Sequence, residues 1–245
     1  MSKVLVLIPS RMSAKRLHGK PLLKINNIPI ISHVFYRGIE TKLGEVIVCT
    51  EDQEIIASVE KNNGKAILTG TQHKNGTERI YEGLKKLKIK DVSYVISLQG
   101  DEPAINPEDI KKLFNFMIKY NSEIGTLGAE IKEDSILNNE NIVKVITDKK
   151  INDQNFPVAL DFKRKVDDFN ANTYHHLGVY AYKPDVLKRI IKHKQTNNEI
   201  QNRLEQLRAL ENGIKINVAL AKFCPIGIDT MEDYLALKKK LEYNS

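Results

Sequence analysis

Four cations fall within ten residues near the start of the chain: Arg11, Lys15, Arg16 and Lys20, with Ser10, Ser13 and Gly19 among them. Cations this closely spaced repel one another unless an anion lies among them. A polyphosphate is the expected anion. The apolar run Val4–Ile8 before them is short and stops at Pro9, which reads as a buried strand. A cationic, hydroxyl-bearing loop after a first strand sits at the strand's carboxyl end, where open α/β sheets bind ligands.

Five further groups of residues carry candidate chemistry. Leu98-Gln99-Gly100-Asp101-Glu102-Pro103 follows an apolar run at 92–98 and places Asp101 at the same edge of a sheet. Asp101 is either a hard oxygen ligand suited to Mg²⁺ beside phosphate oxygens or part of a β-turn, because Gly-Asp and Glu-Pro form turns. In Ile226-Gly227-Ile228-Asp229-Thr230, Asp229 is either a second carboxylate for the same metal or the N-cap of the last helix with Glu232 as its capping-box partner. Asn75-Gly76-Thr77-Glu78-Arg79 opens a helix. Its free backbone N–H groups suit an anion or a base edge, or Thr77 is an ordinary cap. His175 and His176 are adjacent on a strand and so face opposite ways, which makes them a poor metal pair. One of them faces a cleft, or both are structural. Leu204-Glu205-Gln206-Leu207-Arg208 is a polar helix face, solvated or functional.

Positioning these groups requires an alternating frame. Strand patterns fall at 4–8, 45–49, 66–68 and 92–98, and helical patterns at 28–38, 52–62, 76–87 and 107–120. This rhythm predicts a parallel sheet flanked by helices. Beyond residue 123 it changes. Strands are expected at 124–131, 142–146, 176–182 and 216–221, and helices at 184–192, 200–212 and 231–243, with no element assigned in 149–174. No linker divides the 245 residues, so one domain with an inserted lobe near 130–185 is expected.

Composition narrows the class. Hydrophobic residues make up 41%, enough for a sizeable core, and the net charge is +7. The lysines are spread out and no aromatics interleave with a basic stripe, which argues against nucleic acid. No apolar run approaches the roughly 20 residues that span a bilayer. Cys49 and Cys224 sit beside apolar residues without Cys-x-x-Cys spacing, so both are expected as buried thiols in a cytoplasmic protein.

Six blocks, IPSRMSAKRLHGKPL, NGTER, LQGDEP, HHLGVYAY, LEQLR and GIDTMED, run from residue 8 to 233. Together they resemble the CMP-Kdo synthetases, the 3-deoxy-manno-octulosonate cytidylyltransferases, in the family's own order. The resemblance implies a Rossmann-like nucleotidyltransferase fold, CTP and Mg²⁺ as requirements, and transfer of CMP to the anomeric hydroxyl of a 3-deoxy-2-ulosonic acid with release of pyrophosphate, for lipopolysaccharide or capsule precursors. It implies a homodimer with the inserted lobe at the interface. Carried over by position, Arg11 and Lys20 grip the triphosphate with Ser10 and Arg16 beside them, and Thr77 and Arg79 serve the nucleotide. Gln99, His176, Glu205 and Gln206 meet the sugar, and Asp101 and Asp229 hold the metal. The chain departs from the pattern at His18, where the family has proline, and at Cys49-Thr50-Glu51-Asp52, where it has Ala-Thr-Asp. The family's Tyr-Phe-Ser-Arg segment beside the sugar is not intact, and Ala159–Arg164 reads as its remnant. The same chemistry on 8-amino-Kdo or a sialic-like acid, and a catalytically silent nucleotide-binding protein, are the alternatives.

Overall fold

A computed structural model of the chain describes residues 3–13, 16–132, 136–137, 139–166, 171–225 and 227–242. Lys15 and Ile226 lie outside these, as does part of 149–174. The chain forms two compact units, Met1–Pro107 with Pro225–Ser245, and Glu108–Cys224.

In the first unit β1 (Lys3–Ser10) runs between β4 (Glu45–Thr50) and β6 (Val92–Ser97), and β5 (Ala66–Leu68) extends the far side of β4, all parallel. Every residue of β1 after Lys3 is buried, as expected of a parallel strand covered on both faces. The strand continues past Pro9, where the sequence suggested a stop. Pairing with β6 ends at Leu7 and Ser97, while Pro9 still faces Cys49 of β4. A proline is tolerated there because the ladder on one side has already ended.

Helices α1 (Ile30–Glu40), α2 (Gln53–Lys61) and α3 (Gly76–Leu87) follow these strands. Gly83 lets α3 lie directly on β4, since a Cβ there would stand 2.4 Å from the Cys49 sulfur. Burial pushes the Cys49 thiol up to about 12, so this cysteine is the inert buried thiol the sequence suggested. Helix α1 starts two residues later than its pattern implied. Ile28–Pro29 (β3) instead pairs with Lys24–Ile25 (β2), across Asn26 and Asn27 at φ 49° and 62°. Two residues of positive φ are what a type I′ hairpin turn demands. Leu17, Ile25, Ile30, Ile228, Tyr234 and Leu237 then form one buried cluster. It seats the last helix, α8 (Met231–Glu242), against the hairpin and the loop after β1.

In the second unit α4 (Pro107–Tyr120) precedes β7 (Ile124–Ala129). Strand β7 is parallel to β11 (Ile216–Leu220) and antiparallel to β10 (Thr173–Tyr182). Strands β8 (Lys144–Thr147) and β9 (Ala159–Lys163) continue antiparallel from β10. Strand β9 lies within 149–174. Its pattern is irregular, with only Ala159 and Phe162 buried, so alternation does not announce it. Helix α5 spans Pro184–Lys192. The helix expected at 200–212 is two pieces, α6 (Asn197–Asn202) and α7 (Leu207–Glu211), because Arg203 adopts the left-handed conformation at φ 54°. The result is the expected α/β class, a mainly parallel sheet flanked by helices. Among the described residues no helix is long and apolar enough to cross a membrane.

Candidate active site

The loop after β1 is tied down at both ends. The Met12 N–H donates to Asp52 Oδ2 at 2.8 Å, and the Gly19 N–H closes back on the Met12 carbonyl at 3.1 Å. Gly19 sits at φ 72°, a conformation glycine adopts without Cβ strain. It starts a 3₁₀ turn at Lys20–Leu22, and the Lys20 side chain turns inward, with only 10% of it exposed.

The Lys20 ammonium donates to Asp101 Oδ2 at 2.6 Å and to the Ile228 carbonyl at 2.6 Å. It stands 3.6 Å from Asp229 Oδ1. Arg16 Nη2 reaches the same Asp229 oxygen at 2.9 Å. The Ile228 N–H in turn donates to the Asp101 carbonyl at 3.0 Å, so backbone as well as charge joins the two segments. Gly100 allows the Asp101 turn to lie against β1, since a Cβ there would come 2.9 Å from the Pro9 carbonyl oxygen.

This arrangement corrects the reading of Asp229 as a helix cap. Thr230 caps α8: its Oγ1 accepts from the Asp233 N–H, and Asp233 Oδ2 accepts from the N–H groups of Thr230 and Asp229. The cap and its reciprocal carboxylate sit one residue further along than expected, which leaves the Asp229 carboxylate turned to Arg16 and Lys20. Among the described residues, the anions that meet Arg16 and Lys20 are these carboxylates. Arg11 is exposed and makes no ion pair or hydrogen bond among the described residues. Ser10 is buried, and its hydroxyl has no partner among them.

Two hard carboxylates converging on one cationic centre fit Mg²⁺, which takes one or two carboxylates and completes its shell with phosphate and water oxygens. Among the described residues no group of three or more His, Cys, Asp or Glu side chains could hold a metal. A cation here would rely on substrate oxygens as well as on Asp101 and Asp229.

Helix α3 opens beside this edge. Asn75, not Thr77, is its cap, with the Asn75 side chain accepting from the Glu78 N–H. Asparagine at the preceding position outcompetes a threonine already inside the first turn. Thr77 is buried there. Arg79 is also buried, and its guanidinium is engaged by Glu51 at 2.6 Å, Thr69 Oγ1 at 2.7 Å and the Gly70 carbonyl. It braces the ends of β4 and β5. Although burial opposes it, Lys86, the Gly70 N–H and His73 hold the Glu82 carboxyl down to about 2. Gln99 is half-buried, with its Oε1 close to Gly76.

His176, Glu205 and Gln206 belong to the second unit. His176 is buried with Nε2 3.0 Å from Thr126 Oγ1, and the Phe162 ring of β9 packs edge-on at 5.0 Å. Burial, with His175 beside it, lowers His176 to about 3. Burial and Lys144 lower His175 to about 4. The histidines do face opposite ways, for His175 Nδ1 meets Cys224 Sγ at 2.8 Å. Cys224 is exposed, contrary to expectation. Asp109 Oδ1 accepts the Lys222 N–H at 3.0 Å and fixes the chain as it leaves β11, and the neighbouring Phe223 is exposed too.

Glu205 is half-buried and Gln206 buried in the turn between α6 and α7. A fully buried pair spans that turn: Arg208 Nε and Nη2 reach the two Glu199 oxygens at 2.8 and 2.5 Å. Arg164 holds the carbonyls of Asn202, Arg203 and Glu140. Spacing alone did not single out Asp52, Thr126, Glu199 or Arg164. Thr196-x-x-Glu199 is a capping-box signature that would have placed the start of α6. The partners of the other three are set by tertiary contacts.

The sequence profile of the cytidylyltransferase family matches residues 5–216. A 3-deoxy-manno-octulosonate cytidylyltransferase from Thermodesulfovibrio yellowstonii is 41% identical over 96% of both chains. The chain belongs to this cytidylyltransferase family. Another member with the same name, from Afipia carboxidovorans, is 40% identical over 97% of this chain and 96% of its own. A solved CMP:2-keto-3-deoxy-manno-octonic acid synthetase complexed with CTP superposes with a TM-score of 0.88 over the whole of both chains, at 31% identity. A UDP-glucose pyrophosphorylase, at 17% identity and a TM-score of 0.73, shares the fold.

In this cytidylyltransferase both strand histidines are neutral when folded, with affinities for protons below that of an unfolded imidazole near 6.5. The unfolded chain therefore binds protons first. Stability is fully present above pH 6.5 and falls as the pH drops from there, toward about 4 for His175 and about 3 for His176. His176 alone should remove about 2 kcal/mol by pH 5. Urea midpoints at pH 7 and pH 5 measure this, and the loss should shrink in His176→Gln. Equal pH dependence in the two proteins would contradict it.

Proposed function

We propose that the protein transfers CMP from CTP to the anomeric hydroxyl of 3-deoxy-manno-octulosonate and releases pyrophosphate. The observation that carries this reading is the meeting of Lys20, Asp101 and Asp229 at the carboxyl ends of β1 and β6. Two relatives above 35% identity, matched end to end, carry that activity in their names.

Asp101 and Asp229 would hold Mg²⁺. When bound, the metal supplies positive charge against the phosphate oxygens. The chain's own groups do the rest. Arg11, exposed at the mouth of the loop, meets the triphosphate, and Ser10 offers its unpartnered hydroxyl beside it. Arg16 and Lys20 hold the two carboxylates and are close enough to share them with phosphate oxygens. Thr77 and Gly76 present the N-terminus of α3 to the nucleotide, with Arg79 bracing that loop from behind. Gln99, His176, Glu205 and Gln206 orient the sugar. The sugar hydroxyl gives its proton to water as its oxygen attacks the α-phosphorus in line, the bond to the β-phosphate oxygen breaks, and pyrophosphate leaves with its electron pair. Positioning and charge stabilisation account for the acceleration, and no covalent intermediate is needed.

Activated sugar acid of this kind feeds lipopolysaccharide or capsule assembly in the cytoplasm. The enzyme works as a homodimer through the lobe at 130–185, supported by Leu160, 61% exposed on β9, which pairs with β8 alone among the described strands. Light scattering should give twice the chain mass, and a monomer mass at assay concentration would reject the dimer.

Pyrophosphate release tests the reaction, with CTP, Mg²⁺ and 3-deoxy-manno-octulosonate, its 8-amino analogue or N-acetylneuraminate as acceptor. The first acceptor should give the highest kcat/KM, chelation should abolish turnover, and Asp101→Asn should lower kcat by about 10²-fold or more. No release with any acceptor would overturn the reading.

A further inference from the structure

The third residue of β7, Thr126, lies fully buried against an irregularity in β10. Leu177 pairs with Leu127 and Tyr180 pairs with Thr126, so Gly178 and Val179 are extra residues on one strand. Such a bulge disrupts the ladder and re-aims the side chains beside it. The Thr126 hydroxyl fills the gap. Its Oγ1 lies 2.7 Å from the Val179 carbonyl, 3.3 Å from the Leu177 carbonyl and 3.0 Å from His176 Nε2.

The proton count decides the direction of each bond. A hydroxyl has one hydrogen, and a carbonyl only accepts. The hydrogen goes to Val179, the nearest acceptor. The lone pairs of Oγ1 then face His176 Nε2, which must donate. A neutral imidazole carries one N–H, so a proton on Nε2 leaves Nδ1 with a bare lone pair. The ring cannot turn over easily, because Phe162 packs edge-on at 5.0 Å and Tyr180 lies 5.4 Å away on another side. Nδ1 has no hydrogen-bond partner among the described residues.

We propose that Thr126 is a positioning residue that fixes His176 as the Nε2–H tautomer, so that His176 accepts a hydrogen bond at Nδ1 from a hydroxyl of the sugar acid. This rests on the reading of His176 as a sugar-side residue. It makes the site selective in a defined sense. A hydroxyl is welcomed at Nδ1, whereas the acid's carboxylate, which has no proton to give, is turned away. An analogue lacking the matching hydroxyl leaves a buried acceptor unpaired.

Two-bond ¹H–¹⁵N spectra of the histidine rings, assigned by loss of one ring system in His176→Gln, read the tautomer directly. The wild type and Thr126→Ser should show a protonated Nε2 and bare Nδ1 at His176, and Thr126→Val a mixture. Adding 3-deoxy-manno-octulosonate should shift the wild-type Nδ1 resonance. Thr126→Val should raise KM for the sugar about tenfold with KM for CTP unchanged, and Thr126→Ser should restore it to within about threefold. A protonated Nδ1 in the free wild type would overturn the proposal, as would a Thr126→Val protein with wild-type tautomer and KM. If Thr126→Val does not fold, the wild-type and Thr126→Ser spectra still decide. Turnover with the sugar but no response at Nδ1 overturns this inference alone. No turnover with any acceptor overturns the functional reading and the sugar contact with it.

Discussion

One ammonium group organises the catalytic side of this molecule. Lys20 Nζ joins the loop after β1 to Asp101 after β6 and to Ile228–Asp229 before the last helix. These segments are 81 and 208 residues away from it in sequence. Two carboxylates brought together without a cation would repel at close range. With Lys20 between them they are held as a pair, and the Ile228 N–H to the Asp101 carbonyl fixes their backbones as well. The apolar cluster of Leu17, Ile228 and Tyr234 does the same work from below. A site proposed to gather metal and triphosphate would gain from being assembled before either arrives, since less ordering remains to be done on binding.

The second unit uses the opposite device. The groups there that we read as sugar-side are neutral or already held: His176 by Thr126, and Gln206 in a turn clamped by Glu199–Arg208. Breaking a buried pair such as Glu199–Arg208 leaves an uncompensated charge, so its value lies in geometry more than in net stability. Arg164, just after β9, holds backbone carbonyls of the same turn. On the reading proposed above, charge is concentrated where phosphate would be handled, and directional hydrogen bonds where a sugar would be read.

Much of this was legible in the sequence for a physical reason. Strands of continuous apolar residues and helices with Pro107 or Pro184 in the first turn are local signals, and α3, α4, α5 and β5 fall where their patterns place them. Caps were misread by one or two residues, because Thr77 and Asp229 each have a neighbour that competes for the same N–H groups. The helical pattern at 200–212 runs on without a glycine or proline, and nothing at Arg203 warns of a left-handed turn. The residue types at 11, 20, 101 and 229 suggested phosphate chemistry, and three of the four, Lys20, Asp101 and Asp229, do meet. That Lys20 would face carboxylates rather than stand open beside Arg11 is a tertiary fact, decided by the Gly19 turn.

We propose that Asp101 and Asp229, held together through Lys20, form one metal site shared with the nucleotide. Electron paramagnetic resonance of Mn²⁺ titrated into the protein with CTP tests this most directly. The wild type should show a bound-metal spectrum, and the affinity should weaken at least about tenfold in Asp101→Asn and in Asp229→Asn alike. Metal binding that survives unchanged in Asp229→Asn would contradict it, because the second carboxylate would then serve only its arginine and lysine.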